Sequence, residues 1–368
     1  MATTENPDST RLPKATEERL EAIRAEAAAT GKVESGAGRP PRMDRPPRDE
    51  RSGGGVGSSE GKFPAGESYY NLGVVKPPTW TWEIAVYFFV GGISGISSVI
   101  GFIGHVLHAD PTLVRAALWM GLIGAMICPG LLIADLGRPS RFLNMLRVFK
   151  RRSAMSMGSW ILSAFGGAAF TAVAANEAVR YGIHLPLLPQ IAWIGEFGGA
   201  ITGLLLASYT GVLIGATAIP VWHQHRHLLP AHFLTSGLGG SAAILELLGF
   251  LLPVTQFLGF AASAVETLLG ISLELKPSQV NKPLHHGRSG WTMRIAGALE
   301  GPIALLIRVF LHGSAHGRYA TAICFLIGSC SSRFAWIWAG RASAHDPHAL
   351  FEEENERIRA RAAGARAL

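Results

Sequence analysis

Charge is scarce in this chain, and the charge it has is badly placed for a soluble surface. Only 16% of the 368 residues are Asp, Glu, Lys or Arg, against 48% hydrophobic, and the mean hydropathy is positive. A soluble globular domain carries about a quarter charged residues, so that class is excluded. Cysteine is scarcer still. Cys128, Cys324 and Cys330 all fall in apolar stretches without paired ligand spacing, which excludes a disulfide framework and reads as small core residues. No histidine occupies the middle of an apolar stretch, where a di-haem cytochrome would need facing imidazoles. His105 and His108 sit at the end of one stretch and His312 and His316 at the end of another; they read as surface histidines, with a single haem at that face as the less favoured alternative. No nucleotide loop, Ser-His-Asp arrangement or zinc motif stands out, and the glycines inside apolar segments fit helix packing better than phosphate binding.

What the sequence has in quantity is apolar blocks of membrane-spanning length. A helix needs roughly 20 apolar residues to cross about 30 Å of hydrocarbon. Eight such blocks run over 83–107, 114–134, 157–179, 191–214, 231–252, 254–273, 292–311 and 319–339. They are continuously apolar, without the in-out alternation of membrane strands, so helices are expected rather than a barrel. The expected fold is an all-α polytopic membrane protein of eight helices in two four-helix bundles, 79–221 and 222–340. Small residues at Gly91-Gly-Ile-Ser-Gly95, Gly198-Gly-Ala and Gly237-Leu-Gly-Gly-Ser241 suit close helix contact. A tail over 1–78, rich in Gly, Pro, Arg, Glu and Ser, is too polar to offset chain entropy and is expected to be disordered, with one short helix over 17–29 capped by Thr16. A polar tail follows at 341–368.

Loop charges orient the molecule. The loops after the second, fourth and sixth blocks carry Arg138, Arg141, Arg147, Lys150, Arg151, Arg152, Arg226, Lys276, Lys282, Arg288 and Arg294, whereas the opposite loops carry Arg115, Arg180 and Arg318. By the positive-inside rule the first set faces the cytoplasm, with both termini, in a cell membrane. His223, His225, His227, His232, His285 and His286 are placed in those cytoplasmic loops. The net charge of +7 belongs to this bias, and a nucleic-acid partner is not expected.

Ionisable residues inside spans are costly and so informative. Glu196, Glu246, Glu266 and Glu300 fall in the fourth to seventh blocks, with Arg308 and Arg333 in the seventh and eighth. Together the four carboxylates fit a proton path between a buried redox site and one surface; singly, each fits equally well an ion pair that fixes helix packing. The most informative run joins two blocks: Asp135-Leu-Gly-Arg-Pro-Ser-Arg-Phe142, continuing amphipathically to Lys150. So many arginines mark a membrane surface, and the apolar interior behind it suits a ligand with a polar head and a lipid tail, such as a quinone.

These residues resemble the NrfD/polysulfide reductase membrane-anchor family. The match passes through Tyr69-Tyr-Asn, Lys76-Pro-Pro-Thr-Trp-Thr-Trp-Glu83 and Tyr87-Phe-Phe-Val-Gly-Gly-Ile-Ser-Gly95, resumes at the Gly-Arg-Pro run and at Ser153-Ala-Met-Ser-Met-Gly-Ser-Trp160, and ends at Ser208-Tyr-Thr-Gly-Val-Leu213. The resemblance implies an eight-helix subunit with no haem or iron–sulfur cluster of its own. Such a subunit exchanges electrons and protons between quinone or menaquinone and an iron–sulfur protein coupled to a molybdopterin enzyme. It implies that Tyr209 contacts the quinone, that Asp135 and Arg138 stand where the pocket opens toward the partner, and that Trp80 and Trp82 line it. A packed aromatic, a capping salt bridge and an interfacial aromatic belt are the respective structural alternatives. Two departures stand out. Some members carry a histidine near the start of the first helix; here there is none, leaving Tyr70, Asn71 and Glu83 as substitutes. The charge bias also places the iron–sulfur and molybdopterin partners on the cytoplasmic side, where several family complexes hold them outside. A purely structural anchor and an ion or proton transporter are the competing functions.

Overall fold

The computed structural model describes residues 75–346, apart from 76, 137, 139, 141, 276, 277 and 312. The expected tail helix, Tyr70, Asn71 and the polar C-terminal tail lie outside the described residues, as does His312. Among the described residues the protein is helical and contains no strand. The helices are α1 (Trp82–Val106), α2 (Pro111–Asp135), the short α3 (Phe142–Arg147), α4 (Ala154–Arg180), α5 (Leu188–Gly215), the short α6 (Pro220–Gln224), α7 (Leu228–Leu247), α8 (Pro253–Glu274), the single turn α9 (Lys282–His285), α10 (Gly287–Ala298), α11 (Ala304–Phe310) and α12 (Ala315–Ala344). Among the described residues, α1, α2, α4, α5, α7, α8 and α12 are seven helices long and apolar enough to cross a membrane.

The seventh apolar block differs from a plain span. Helix α10 runs into a π turn, Leu299–Ile303, before α11 continues the same path. Gly301, at φ −98° and ψ −106°, leaves helical geometry there. The cause is local: Pro302 has no N–H to donate and disfavours helical backbone in the residue before it.

Helix starts follow from capping chemistry. The Asp110 carboxylate accepts from the Thr112 amide at 2.9 Å and the Thr112 hydroxyl at 2.7 Å, with Pro111 in the first turn of α2. Those bonds, the hydroxyl's first, hold the Asp110 carboxyl below the ordinary carboxylate range. His108, at φ 53°, makes the tight turn between α1 and α2, a left-handed conformation uncommon outside glycine. Ser153 and Ser314 cap α4 and α12 in the same way as Asp110.

Helices α1, α2, α4 and α5 pack on one another. Helices α7, α8 and α12 pack with the interrupted α10–α11 run, and α1 and α5 meet α7 between the two sets. The closest approaches are made by glycine. A Cβ on Gly95 would stand 2.3 Å from the Gly203 carbonyl oxygen, and one on Gly203 2.4 Å from that of Gly95. Gly237 meets the Gly92 carbonyl in the same manner. In hydrocarbon, dispersion contact takes over from the hydrophobic effect in holding helices together, so backbone proximity carries the packing.

One end of the helices carries Thr81, Asp135, Trp222 and Asn281; it is called here the Asp135 face. The Thr81 hydroxyl donates to Asp135 at 2.7 Å, Trp80 stacks on Trp222 at 5.3 Å between centroids, and His225 bonds Asn281 at 2.8 Å. The other end, the Asp110 face, holds the α1–α2 turn. Gly95→Ala is expected to cost about 1–3 kcal/mol through overpacking. Thermal unfolding of the detergent-solubilised protein reads this, with Gly130→Ala, whose Cβ meets nothing within 4 Å, as the unaffected control.

Candidate functional site

A cavity of about 380 Å³ opens among α1, α2, α4 and α5 near the Asp135 face. That volume lies within the range of about 300–1,000 Å³ common for small-molecule pockets. Its walls are apolar (Ile84, Phe88, Leu132, Met155, Leu162 and Leu213 among them), and its polar groups are few: Asp135, Tyr87, Tyr209, Ser159 and Ser163. Pro129, which also lines it, cannot donate to the carbonyl four residues back, so α2 gives up a backbone bond beside the cavity.

Two separated sequence motifs meet at its inner wall. The Tyr209 ring lies against Gly158, where a Cβ would stand 2.2 Å from the ring, and the Tyr209 hydroxyl donates to the Ala154 carbonyl. Glycine at 158 is thus what lets the tyrosine of α5 reach the first turn of α4. At the mouth, Trp80 stands between Phe88, edge-on at 6.2 Å, and the stacked Trp222, whose indole N–H donates to the Trp336 carbonyl at 2.8 Å. The Thr81 hydroxyl lies between the carboxylates of Asp135 and Glu83.

Of the residues expected at this site, Trp80, Asp135 and Tyr209 line the one cavity. Glu83 stands behind its rim through Thr81. Trp82 points away and is 59% exposed, and Arg138 is exposed while Asp135 accepts from Thr81 instead. Thr81 and Gly158 were not singled out from the sequence. Gly158 was legible only as part of the Ser-Ala-Met-Ser-Met-Gly run, and nothing near Thr81 in the sequence points to a partner 54 positions away.

The four in-span glutamates fall into three settings. Glu246 is sealed in a bidentate pair with Arg308, at 2.8 and 2.9 Å, with Arg318 at 3.7 Å. Glu196 meets His105 Nδ1 at 2.5 Å and accepts from Asn176 at 2.7 Å, beside an opening of about 430 Å³ on the Asp110 face. Glu266 and Glu300 alone come together, with His232, near a further cavity. His232, expected in a loop, lies inside α7 and is buried; Pro230 sits in the first turn of that helix, where proline is tolerated. Cys128 is buried as expected, while Cys324 and Cys330 are only partly so.

Helices of membrane-spanning length around an apolar cavity with few polar groups define a multi-pass membrane protein with a ligand-sized cavity near one face. A family model described as polysulphide reductase, NrfD, matches residues 71–277, and the chain belongs to that family. It is 29% identical over 194 residues to the C chain of polysulfide reductase from Wolinella succinogenes, covering 45% of this sequence and 57% of that protein. It is 26% identical over 190 residues to protein NrfD of Escherichia coli strain K12, covering 45% and 58%. The matches thus span less than two thirds of either relative.

Removing one partner of the sealed pair leaves a buried charge uncompensated, at a cost of about 3–5 kcal/mol. Glu246→Gln and Arg308→Met are each expected to lower thermal stability by that order, and the double variant to recover most of it. A double-mutant cycle on the detergent-solubilised protein measures both.

Proposed function

We propose that this chain is the membrane subunit of a respiratory oxidoreductase, exchanging electrons and protons between quinone or menaquinone and an iron–sulfur partner of a molybdopterin enzyme. The observation that carries the reading is the convergence of Trp80, Asp135 and Tyr209, from three separate motifs, on one apolar cavity. The cavity fits a quinone by its chemistry: hydrocarbon walls for the isoprenoid tail, and hydroxyl and carboxylate groups for the head. A bound quinone supplies a two-electron, two-proton carrier.

The protein's own residues supply position and protons. The Tyr209 hydroxyl spends its proton on Ala154 and keeps lone pairs with which to accept a hydrogen bond from a ligand hydroxyl. Asp135 at the mouth accepts or returns a proton on the side where a partner would dock. Glu83 fits the same task. The Thr81 hydroxyl contacts both carboxylates and so holds Glu83 beside Asp135. Glu83 and Asp135 thus stand together at the mouth, at the start of a first helix that carries no histidine there. Trp80, clamped by Trp222, narrows the entrance and keeps bulk water from the inner wall.

In this reading the α10–α11 run is the seventh of eight crossings, completing two four-helix bundles. Both termini and the Asp135 face are cytoplasmic, and the iron–sulfur and molybdopterin subunits dock there. Tyr209→Phe and Asp135→Asn are expected to lower quinone-linked turnover of the complex by about tenfold or more while the partner subunits still copurify. Unchanged turnover in both would leave a structural anchor instead. A single cysteine at Ser140→Cys is expected to react with a membrane-impermeant thiol reagent only in inverted vesicles; labelling from the periplasmic side reverses the orientation.

A further inference from the structure

The second half of the protein holds its own buried polar cluster, separate from the cavity of Trp80 and Tyr209. A cavity of about 310 Å³ runs between α8 and α10, from exposed groups at one end to fully buried ones at the other. The outer end is an ion set in which Glu274 meets Arg294 at 3.2 Å and His285 at 3.3 Å, with the Glu274 and Arg294 side chains half exposed. The inner end is His232, Glu266 and Glu300, each under a tenth exposed. Glu266 lies eight residues along α8 from Glu274, about 12 Å at the helical rise.

Three observations single out the inner end. His232 Nδ1 lies 2.7 Å from Glu266 Oε2, yet His232 Nε2 and Glu266 Oε1 have no partner within the protein. Buried polar atoms are rarely left so. Glu300 accepts from Ser236 at 3.1 Å, which in turn shares a 2.6 Å bond with Ser329. And Glu300 sits within the π turn that interrupts its helix, a distortion frequent at working sites. At Glu246, by contrast, Arg308 satisfies both carboxylate oxygens.

The charge count chooses the occupant. Arg333 of α12, 1% exposed and stacked 3.8 Å over the Phe233 ring, acts electrostatically on both Glu266 and Glu300. Two ionised carboxylates against one guanidinium, with His232 neutral, leave a net charge of −1 in a low-dielectric interior, which is costly. Cys330 and the outer Glu274, Arg294 and His285 are the other titratable or charged groups facing the cluster and its cavity. The three ligand-type atoms lie within 4.8 Å of one another, a spacing a divalent cation could use, but such an ion would leave +1 beside Arg333. A single proton leaves zero, as would a monovalent cation such as sodium, which the titration below separates from it.

We propose that His232, Glu266 and Glu300 form a proton-binding site that charges and discharges through the second cavity. On charging, an O–H bond of a hydronium ion breaks and one forms on a carboxylate of Glu266 or Glu300, with His232 Nδ1 sharing the proton across its 2.7 Å contact. No electron moves in this step, and the site does not depend on which ligand fills the first cavity.

The test is an infrared pH titration of the full-length protein, reconstituted in lipid with the subunits that copurify with it. A protonated-carboxyl C=O band that grows on acidification and shifts in D2O is expected. One oscillator of it is expected to vanish in Glu266→Gln or Glu300→Gln and to persist in Glu246→Gln. It should persist also in Tyr209→Phe, so failure of the quinone reading would not remove it. Where a Gln variant does not assemble, Glu300→Asp, which keeps an acid, should shift the midpoint or the band position. Full band height in both Gln variants overturns the proposal. So does an unshifted titration in Glu300→Asp, or a midpoint that follows sodium or zinc concentration at fixed ionic strength, which would mark a metal-cation site.

Discussion

Backbone contact between helices is the constraint on which this structure rests. In lipid, helices gain little by hiding apolar side chains from one another, so the packing depends on how near their axes can come. Gly95 and Gly203 touch through their own carbonyls, and Gly92 and Gly237 repeat the device on another face of the same helix. Helix α1 thereby becomes a wall common to both sets of helices, meeting α2 and α5 on one side and α7 and α12 on the other. Two of the cavities lie away from these tight contacts: one where Pro129 loosens α2, the other where Gly301 and Pro302 interrupt a helix.

Charge in the interior is handled in different ways, and the differences carry meaning. Glu246 is neutralised bidentately and sealed, which fixes α7 to α11 and to the start of α12. Glu196 is itself buried but touches His105, whose side chain is half exposed. Glu266 and Glu300 share one guanidinium with spare bonding capacity left over. A fully matched pair resists change, whereas a cluster one charge short of neutrality responds to its surroundings.

Much of this was legible in the sequence. Seven of the eight expected spans followed from block length and hydropathy, whereas the cap at Asp110 was not singled out. The site was legible in part: Trp80, Asp135 and Tyr209 lie in runs distinctive enough to mark, although Trp82, two positions on from Trp80, turns outward. What stayed hidden depends on distance along the sequence. Thr81 finds Asp135 and Arg308 finds Glu246 across 54 and 62 positions, and periodicity cannot report such pairs. His232 was read with the His-rich connection before it, although the fifth apolar block already began at 231 and the helix starts at Leu228. The π turn lay inside a block whose length still fitted an unbroken span, despite Glu300 and the Gly301-Pro302 pair.

The stacked pair of Trp80 and Trp222 joins parts of the molecule that are otherwise far apart. Trp80 forms the lip of the first cavity, while Trp222 is pinned through its indole nitrogen to the Trp336 carbonyl of α12. Three residues before Trp336 on the same helix stands Arg333, the lone guanidinium of the second cluster. The indole at the lip cannot tilt without parting from its neighbour or dragging it along. The lip of one cavity and the guanidinium beside the other cluster are thus tied to one turn of a single helix.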